Sequence, residues 1–171
     1  MSGKRIHGSV GNGSNPERFK LWSHFKQNIF SSLVAAYNEN VFGNNLSICS
    51  TDPMTGWTRD GTCKLYDGDH GTHTTCAELT TEFLEFSKSR GNDLMTPTSW
   101  GFPGLKEGDR WCLCAMRWNQ AFQAYKNGEI SRNGVPSLVL DATHIKTAQL
   151  VDGGMDTVNK FALTQNKDTE L

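Results

Sequence analysis

The stretch FPGLKEGDRWCLC, residues 102–114, decides how this chain is expected to fold. Its proline and glycines are typical of a turn, and the residues that follow predict a β-strand. Because residues two apart in a strand share a face, Cys112 and Cys114 are expected to point the same way, with Trp111 and Leu113 on the opposite face. The cysteine pair therefore marks the place where a functional site is expected.

The composition describes a globular chain of 171 residues with a formal net charge of −1, long enough for one domain and an appendage. So balanced a charge gives no support for nucleic-acid binding, and no nucleic-acid partner is predicted. No apolar run reaches the roughly 20 residues that a bilayer-spanning helix needs. The odd number of cysteines, five, with no recognisable secretory leader, argues against a disulfide scaffold. It favours a reducing intracellular compartment, either the cytoplasm or the stroma or matrix of an organelle.

The chain is expected to divide into a flexible N-terminus (1–14), an amphipathic helical extension (15–40), an α+β domain (45–163) and a flexible tail (164–171). Asn15 and Pro16 are typical of a helix start. Apolar side chains then recur at helical spacing, at Trp22, Phe25, Ile29, Leu33 and Tyr37. This stripe either packs on its own domain or, over residues 16–37, docks the chain on a protein partner, a larger complex or a membrane surface.

The α+β domain is expected to alternate between helices, strands and long loops. A helix that begins at Thr80 or Thr81 and ends at Gly91 has the clearest signals, with a capping threonine, early acids and a terminal glycine. Further helices are predicted over 118–126 and 155–163, strands over 110–116, 138–140 and 147–151, and a long loop over 50–72. Few strands among many helices and loops predict the α+β class with a small, mostly antiparallel sheet.

The cysteines open three alternatives. In the first, Cys112 and Cys114 bind a tetrahedral zinc ion together with Cys76, Cys49 or Cys63 and with His73 or His144. All five cysteines are therefore candidate ligands: Cys49, Cys63, Cys76, Cys112 and Cys114. The same residues are also common as small buried hydrophobes. The third alternative is thiol catalysis, in which a cation or imidazolium favours the nucleophilic thiolate. The candidates for it are Cys76, Cys112, Cys114, His73 and Arg110.

Polar residues beside turns form a candidate binding site for a small polar ligand. Gathered at one end of a sheet, such groups bind ligands or supply acids and bases, although turn and capping roles explain each one separately. The candidates are Asp52, Arg59, Asp93, Asp109, Arg117 and His144. Tryptophans 57, 100, 111 and 118 either wall such a pocket or belong to the core. The familiar nucleotide-phosphate motifs are missing from the sequence.

Several exact strings occur in order along the domain: CSTDPMTG at 49–56, GNDL at 91–94, FPGLKEGDRWCLCA at 102–115 and ATH at 142–144. Together they make the sequence, over about residues 45–151, resemble domain-of-unknown-function family 2237, a group of small bacterial and algal proteins. The resemblance implies a two-layer α/β sandwich and no established activity. The helix predicted over 16–37 is additional to the usual family domain.

These observations favour an accessory or binding protein that docks through its N-terminal helix. Two alternatives stay open. One is a thiol- or zinc-dependent enzyme built on the cysteines and histidine, and the other is a binder of a small polar metabolite. No catalytic motif decides whether the protein is an enzyme.

Overall fold

The computed structural model describes residues 20, 24–26, 38–99 and 101–164. The chain divides into two units, residues 1–34 and 35–171. In the first unit the four described residues are helical, and His24 Nδ1 lies 2.9 Å from the carbonyl oxygen of Lys20. The described residues include no helix that is both long enough and apolar enough to span a membrane.

A three-stranded antiparallel sheet lies at the centre of the second unit. Its strands are β1 (Thr75–Glu78), β2 (Arg110–Leu113) and β3 (Ser137–Leu138), in the spatial order β2-β1-β3. Cys76 of β1 lies directly opposite Cys112 of β2, and Ala77 lies opposite both Trp111 and Leu138.

Helices connect and follow these strands. They are α1 (Thr81–Ser89), α2 (Ala115–Lys126), α3 (Lys146–Leu150) and α4 (Gly154–Lys160), with short 3-10 helices at Arg132–Gly134 and Leu140–Ala142. Helix α1 begins and ends as predicted, because the Thr80 hydroxyl oxygen accepts a hydrogen bond from the Phe83 N–H at 3.1 Å. Gly91, with a φ of +80°, takes the left-handed conformation that ends it.

The two faces of the sheet carry different side chains, as strand alternation requires. Ala77, Trp111 and Leu138 face the helices and join the main hydrophobic core with side chains such as Phe83 and Trp118. On the opposite face, the cysteines of β1 and β2 form a second buried cluster with two cysteines of the loop that precedes β1. The predicted α+β class with a small antiparallel sheet is confirmed.

Several elements differ from the sequence-based prediction in type or in extent. Helix α2 begins at Ala115 instead of residue 118, and α4 ends at Lys160 instead of residue 163. Residues 147–151 were expected in a strand, which is wrong, since helix α3 covers 146–150. There the buried Thr147 hydroxyl lies 2.9 Å from that of Thr74, so tertiary contacts override the apolar, strand-like composition. Strand β2 ends at Leu113 instead of residue 116, because the Ala115 N–H leaves the ladder and donates to the Thr72 carbonyl at 3.1 Å. Strand β3 ends at Leu138 instead of residue 140 because a 3-10 helix begins at Leu140.

Candidate functional site

Four of the five cysteines form disulfides, all within the described part of the chain. Cys49 is bonded to Cys76, and Cys63 to Cys112. The expectation that the chain has no disulfide scaffold is therefore wrong. The number of cysteines is odd because Cys114 forms no disulfide bond.

The disulfides also change which thiols are available. Cys76 and Cys112 have no thiol in this state and cannot be the nucleophiles that the sequence suggested. Cys114 is half-buried and lies between the end of β2 and the start of α2. Because it is not part of the strand, the prediction that it faces the same way as Cys112 does not apply. The reducing compartment stays a prediction.

Two adjoining cavities lie beside the sheet and share the wall formed by His73, Leu94, Trp111 and Cys112. The larger, which we call the Arg59 cavity, has a volume of about 340 Å³ and is lined by Gly56, Trp57, Arg59, His73, Asp93, Leu94, Phe102, Trp111 and Cys112. The smaller, the Arg117 cavity, measures about 240 Å³ and is lined by His73, Asn92, Leu94, Trp111, Cys112, Leu113, Cys114 and Arg117. We refer to the two together as the His73 cleft.

His73 is held in the cleft by a buried carboxylate. Its Nδ1 lies 2.7 Å from Asp69 Oδ1, and its backbone N–H donates to Asp69 Oδ2 at 2.6 Å. The Asp69 side chain is fully buried, whereas that of His73 is 34% exposed. A third donor, the Gly71 N–H, fixes Asp69 Oδ1 at 3.0 Å. The imidazole is thus oriented by a carboxylate that is itself fixed by the backbone.

Gly71 makes this arrangement sterically possible. A Cβ atom at this position would stand 2.4 Å from His73 Cε1, which is closer than such atoms approach in real structures. Any side chain at residue 71 would displace the imidazole.

Aromatic rings form much of the Arg59 cavity. The Trp57 ring stacks on the His73 ring, with centroids 5.6 Å apart and planes 21° apart. The Arg59 guanidinium lies 4.9 Å from the centroid of the Trp111 ring, and Phe102 meets that ring edge-on at 5.6 Å. Trp57 is 47% exposed, so it forms the rim of the cavity.

The Arg117 cavity combines a cation with the free thiol. Arg117 Nη1 donates to the Arg90 carbonyl at 3.2 Å and to Gln120 Oε1 at 3.1 Å, which fixes the guanidinium against the first turns of α2. Cys114 occupies the N-cap position of the same helix. The positive end of a helix favours negative charge nearby.

Asp93 places a carboxylate in the wall of the Arg59 cavity. The Lys88 ammonium, the Met95 N–H and the Thr96 hydroxyl hold the pKa of this carboxyl well below its ordinary value. The group is therefore ionised at neutral pH, and its charge is balanced by Lys88.

The predicted ligand-binding residues divide into two groups. Arg59, Asp93 and Arg117 line the cleft. Asp52, Asp109 and His144 lie elsewhere, because each belongs to local structure: Asp52 is exposed in a turn, Asp109 accepts from Lys106, and the buried His144 accepts from the Lys146 N–H. Arg110, the predicted catalytic cation, pairs instead with Glu78 across β1 and β2, with its Nε 3.2 Å from Glu78 Oε2.

The predicted partner-binding stripe lies largely outside the described residues. Trp22, Ile29, Leu33 and Tyr37 belong to the part of the chain that is not described. Phe25 is described and is 64% exposed. Docking through residues 16–37 stays a prediction.

Sequence reasoning missed the most informative contact of the site, the pairing of Asp69 with His73. The signal was present, because an aspartate four residues before a histidine, with a glycine between them, allows the compact turn that the structure contains. Trp57 and Trp111 were weighed as pocket walls against core positions, and both line the Arg59 cavity.

Comparison with known proteins adds one result. The family model described as "Uncharacterized protein conserved in bacteria (DUF2237)" matches residues 39–162. The chain belongs to the DUF2237 family. The match confirms the resemblance seen in the sequence, and it takes in the whole His73 cleft and all five cysteines of this DUF2237 domain. No curated protein matches the sequence.

Acid should destabilise this DUF2237 domain, because several of its carboxyl groups have lowered pKa values. Burial opposes the ionisation of Asp60, but Lys64 and the hydroxyl and N–H of Thr62 together hold its pKa below the ordinary value. The hydroxyl and N–H of Ser131 lower the pKa of Glu82 in the same direction. A pKa lower in the folded than in the unfolded state stabilises the fold above the unfolded value, near 4, and this stabilisation is lost as the pH falls through the folded value.

We therefore expect the urea midpoint to be nearly constant from about pH 7 to pH 5 and to fall below about pH 4. Urea titrations monitored by tryptophan fluorescence at each pH measure this. Asp60→Asn removes one contributor and should flatten the decline, and an unchanged decline in that variant would contradict the assignment.

Proposed function

We propose that this protein binds a small anionic metabolite in the His73 cleft and that His73 takes up a proton from solvent as the anion binds. The observation that supports the proposal is the buried Asp69 carboxylate hydrogen-bonded to Nδ1 of a partly exposed histidine in a cavity wall. Of the alternatives that the sequence left open, this one agrees best with the geometry of the described residues.

The hydrogen bonds define the chemistry available to His73. An ionised carboxylate only accepts hydrogen bonds, so Nδ1 carries the proton of the neutral imidazole. Nε2 then has the lone pair, which accepts a proton from solvent when an anion binds, and Asp69 stabilises the imidazolium that forms. Because backbone N–H groups hold Asp69, this orientation exists before a ligand arrives.

The class of ligand follows from the side chains in the walls. Arg59 and Arg117 bring cations to the two cavities, and a guanidinium has five N–H donors that suit carboxylates and phosphates. Trp57 and Trp111 offer ring faces for a flat or apolar portion of the ligand. A volume of about 340 Å³ lies at the small end of the range for small-molecule sites.

Thermal unfolding with a panel of small carboxylates and phosphate monoesters tests the binding step. A ligand present at about 100 times its dissociation constant adds roughly 2.7 kcal/mol of stability, which for a chain of this size raises Tm by about 5–10 °C. Arg59→Met and Arg117→Met should reduce the shift. Lys160→Met removes a positive charge at the end of α4, outside the cleft, and should leave the shift unchanged.

Calorimetry in buffers of different ionisation enthalpy tests the proton step. The slope of binding enthalpy against buffer enthalpy gives the protons exchanged on binding. We expect a measurable exchange in the parent protein and its loss in His73→Asn. A panel without any stabilising ligand, or an equal proton exchange in His73→Asn, would overturn the proposal.

A second candidate is covalent chemistry at Cys114, favoured by one observation. This unbonded cysteine and His73 line the same Arg117 cavity, which brings a nucleophile, a base and an orienting carboxylate to one site. Alkylation by iodoacetamide, followed by mass spectrometry, tests it. If His73 activates the thiol, His73→Asn should slow modification of Cys114 about tenfold or more. Equal rates in the two proteins would reject this candidate.

A further inference from the structure

The buried four-cysteine cluster, Cys49, Cys63, Cys76 and Cys112, has the ligand set of a metal site. The sulfur atoms of Cys49, Cys63 and Cys76 all lie within 4.8 Å of one another, and the Cys112 sulfur is bonded to that of Cys63. In a tetrahedral zinc–thiolate site, Zn–S distances of about 2.3 Å place neighbouring sulfurs roughly 3.8 Å apart. Because Cys49 is bonded to Cys76 and Cys63 to Cys112, the two disulfides lie side by side, and the sulfurs of each bonded pair must separate to reach the zinc–thiolate spacing once the bonds open.

The backbone around the cluster is held by contacts other than the disulfides. Cys76 and Cys112 lie opposite each other in β1 and β2, and their N–H groups donate to Thr143 Oγ1 at 3.1 Å and Thr55 Oγ1 at 2.9 Å. A facing pair whose N–H groups point away from the ladder has its side chains close together. The loop cysteine Cys49 is fixed by a hydrogen bond from its N–H to the Gly61 carbonyl at 2.8 Å. Three of the four cysteines are thus held by hydrogen bonds that remain when the S–S bonds open.

The chemistry of the site selects a soft metal ion. Four thiolates favour Zn²⁺ or Cu⁺ over Mg²⁺ or Ca²⁺, which prefer oxygen ligands. All four cysteines are at most 4% exposed, so water would not compete for the ion. Cys114 lies outside the cluster, at the N-cap of α2, and is excluded from the ligand set.

We propose that this cluster is a redox-gated zinc site, in which the two disulfides and a four-thiolate zinc centre are alternative states of the same four sulfurs. The inference is independent of the ligand chemistry proposed for the His73 cleft.

The conversion balances in two steps. A dithiol or phosphine reductant supplies two electrons to each disulfide, which takes up two protons and becomes two thiols, while the reductant is oxidised to its disulfide or phosphine oxide. Zn²⁺ then binds the four sulfurs and displaces four protons. A disulfide oxidant reverses the change, withdrawing four electrons in all, reforming both S–S bonds and releasing the ion.

The test uses the full chain, reduced with a phosphine under nitrogen, freed of reductant and given a small excess of Zn²⁺ before gel filtration. Elemental analysis should find about one zinc per chain in the reduced protein and almost none in the oxidised protein. Cys114→Ser should retain the zinc, whereas Cys112→Ser should lose most of it. Failure of the reduced parent protein to retain zinc, or loss of zinc in Cys114→Ser, would overturn the proposal.

A second measurement covers the case in which Cys112→Ser fails to fold. Co²⁺ added to the reduced parent protein should give the strong visible bands of a tetrahedral thiolate site and a sulfur-to-cobalt charge-transfer band, and an equivalent of Zn²⁺ should abolish both. A weak, octahedral Co²⁺ spectrum would reject the site whatever the variant does.

Discussion

Replacing Cys63 and Cys112 together by alanine should lower the free energy of unfolding of the oxidised protein by about 4 kcal/mol. The bond joins residues 49 positions apart, and closing so long a loop removes much of the conformational entropy of the unfolded chain. Urea unfolding at pH 7 without metal, monitored by tryptophan fluorescence, measures the loss. Since Cys112 lines both cavities, the same variant should also weaken ligand binding in the His73 cleft.

Cys114→Ala is the matched control for this pair. It replaces a half-buried cysteine that makes no disulfide, so we expect a change of less than about 1 kcal/mol. A loss below about 1 kcal/mol in the double variant would mean that the Cys63–Cys112 bond does not constrain the unfolded chain under these conditions.

Trp118→Ala should lower the free energy of unfolding by about 3–5 kcal/mol. Trp118 is fully buried in the main core, where its ring stacks on Phe122 at 5.8 Å and meets Phe161 edge-on at 5.3 Å. Its Nε1 donates to the Pro136 carbonyl at 2.9 Å. Alanine would leave a large cavity between α2 and α4 and a buried carbonyl without its donor. Chemical denaturation gives the magnitude.

Two further substitutions separate the contribution of the Trp118 hydrogen bond from that of its ring, and the core from the cleft. Trp118→Phe keeps an aromatic ring but loses the hydrogen bond, so its cost should be smaller, about 1–3 kcal/mol. Trp57→Ala removes a half-exposed ring at the rim of the Arg59 cavity and should change stability by less than about 1 kcal/mol while weakening ligand binding. Equal stability losses at residues 57 and 118 would contradict the assignment of one to the cleft and the other to the core.

Features with local causes were predictable from the sequence. Helix α1 has its capping threonine and terminating glycine only eleven positions apart, and the structure uses both. The strand after the Pro/Gly turn was found for the same reason, although its end was not, because the contact that ends it comes from Thr72, about forty residues earlier in the chain. Helix α3 was mistaken for a strand because its five residues are too few to show a helical period.

The site was only partly predictable, because its parts meet through long-range contacts. The side chains of His73, Arg59, Asp93 and Arg117 were identified by type, but nothing local shows that these four share one cleft while Asp52, Asp109 and His144 do not. The disulfide partners could not be predicted from the sequence either. Cys76 of β1 and Cys112 of β2 face each other, yet each is bonded to a cysteine of the loop before β1.

That pattern of bonding has a mechanical consequence for the loop before β1. The loop has only isolated bridges and turns of its own, yet disulfides anchor it to the central strand β1 through Cys49 and to the edge strand β2 through Cys63. Trp57 and Arg59 lie between those anchors. Both residues are therefore held in position before a ligand binds. Little conformational entropy of the loop would then be lost on binding.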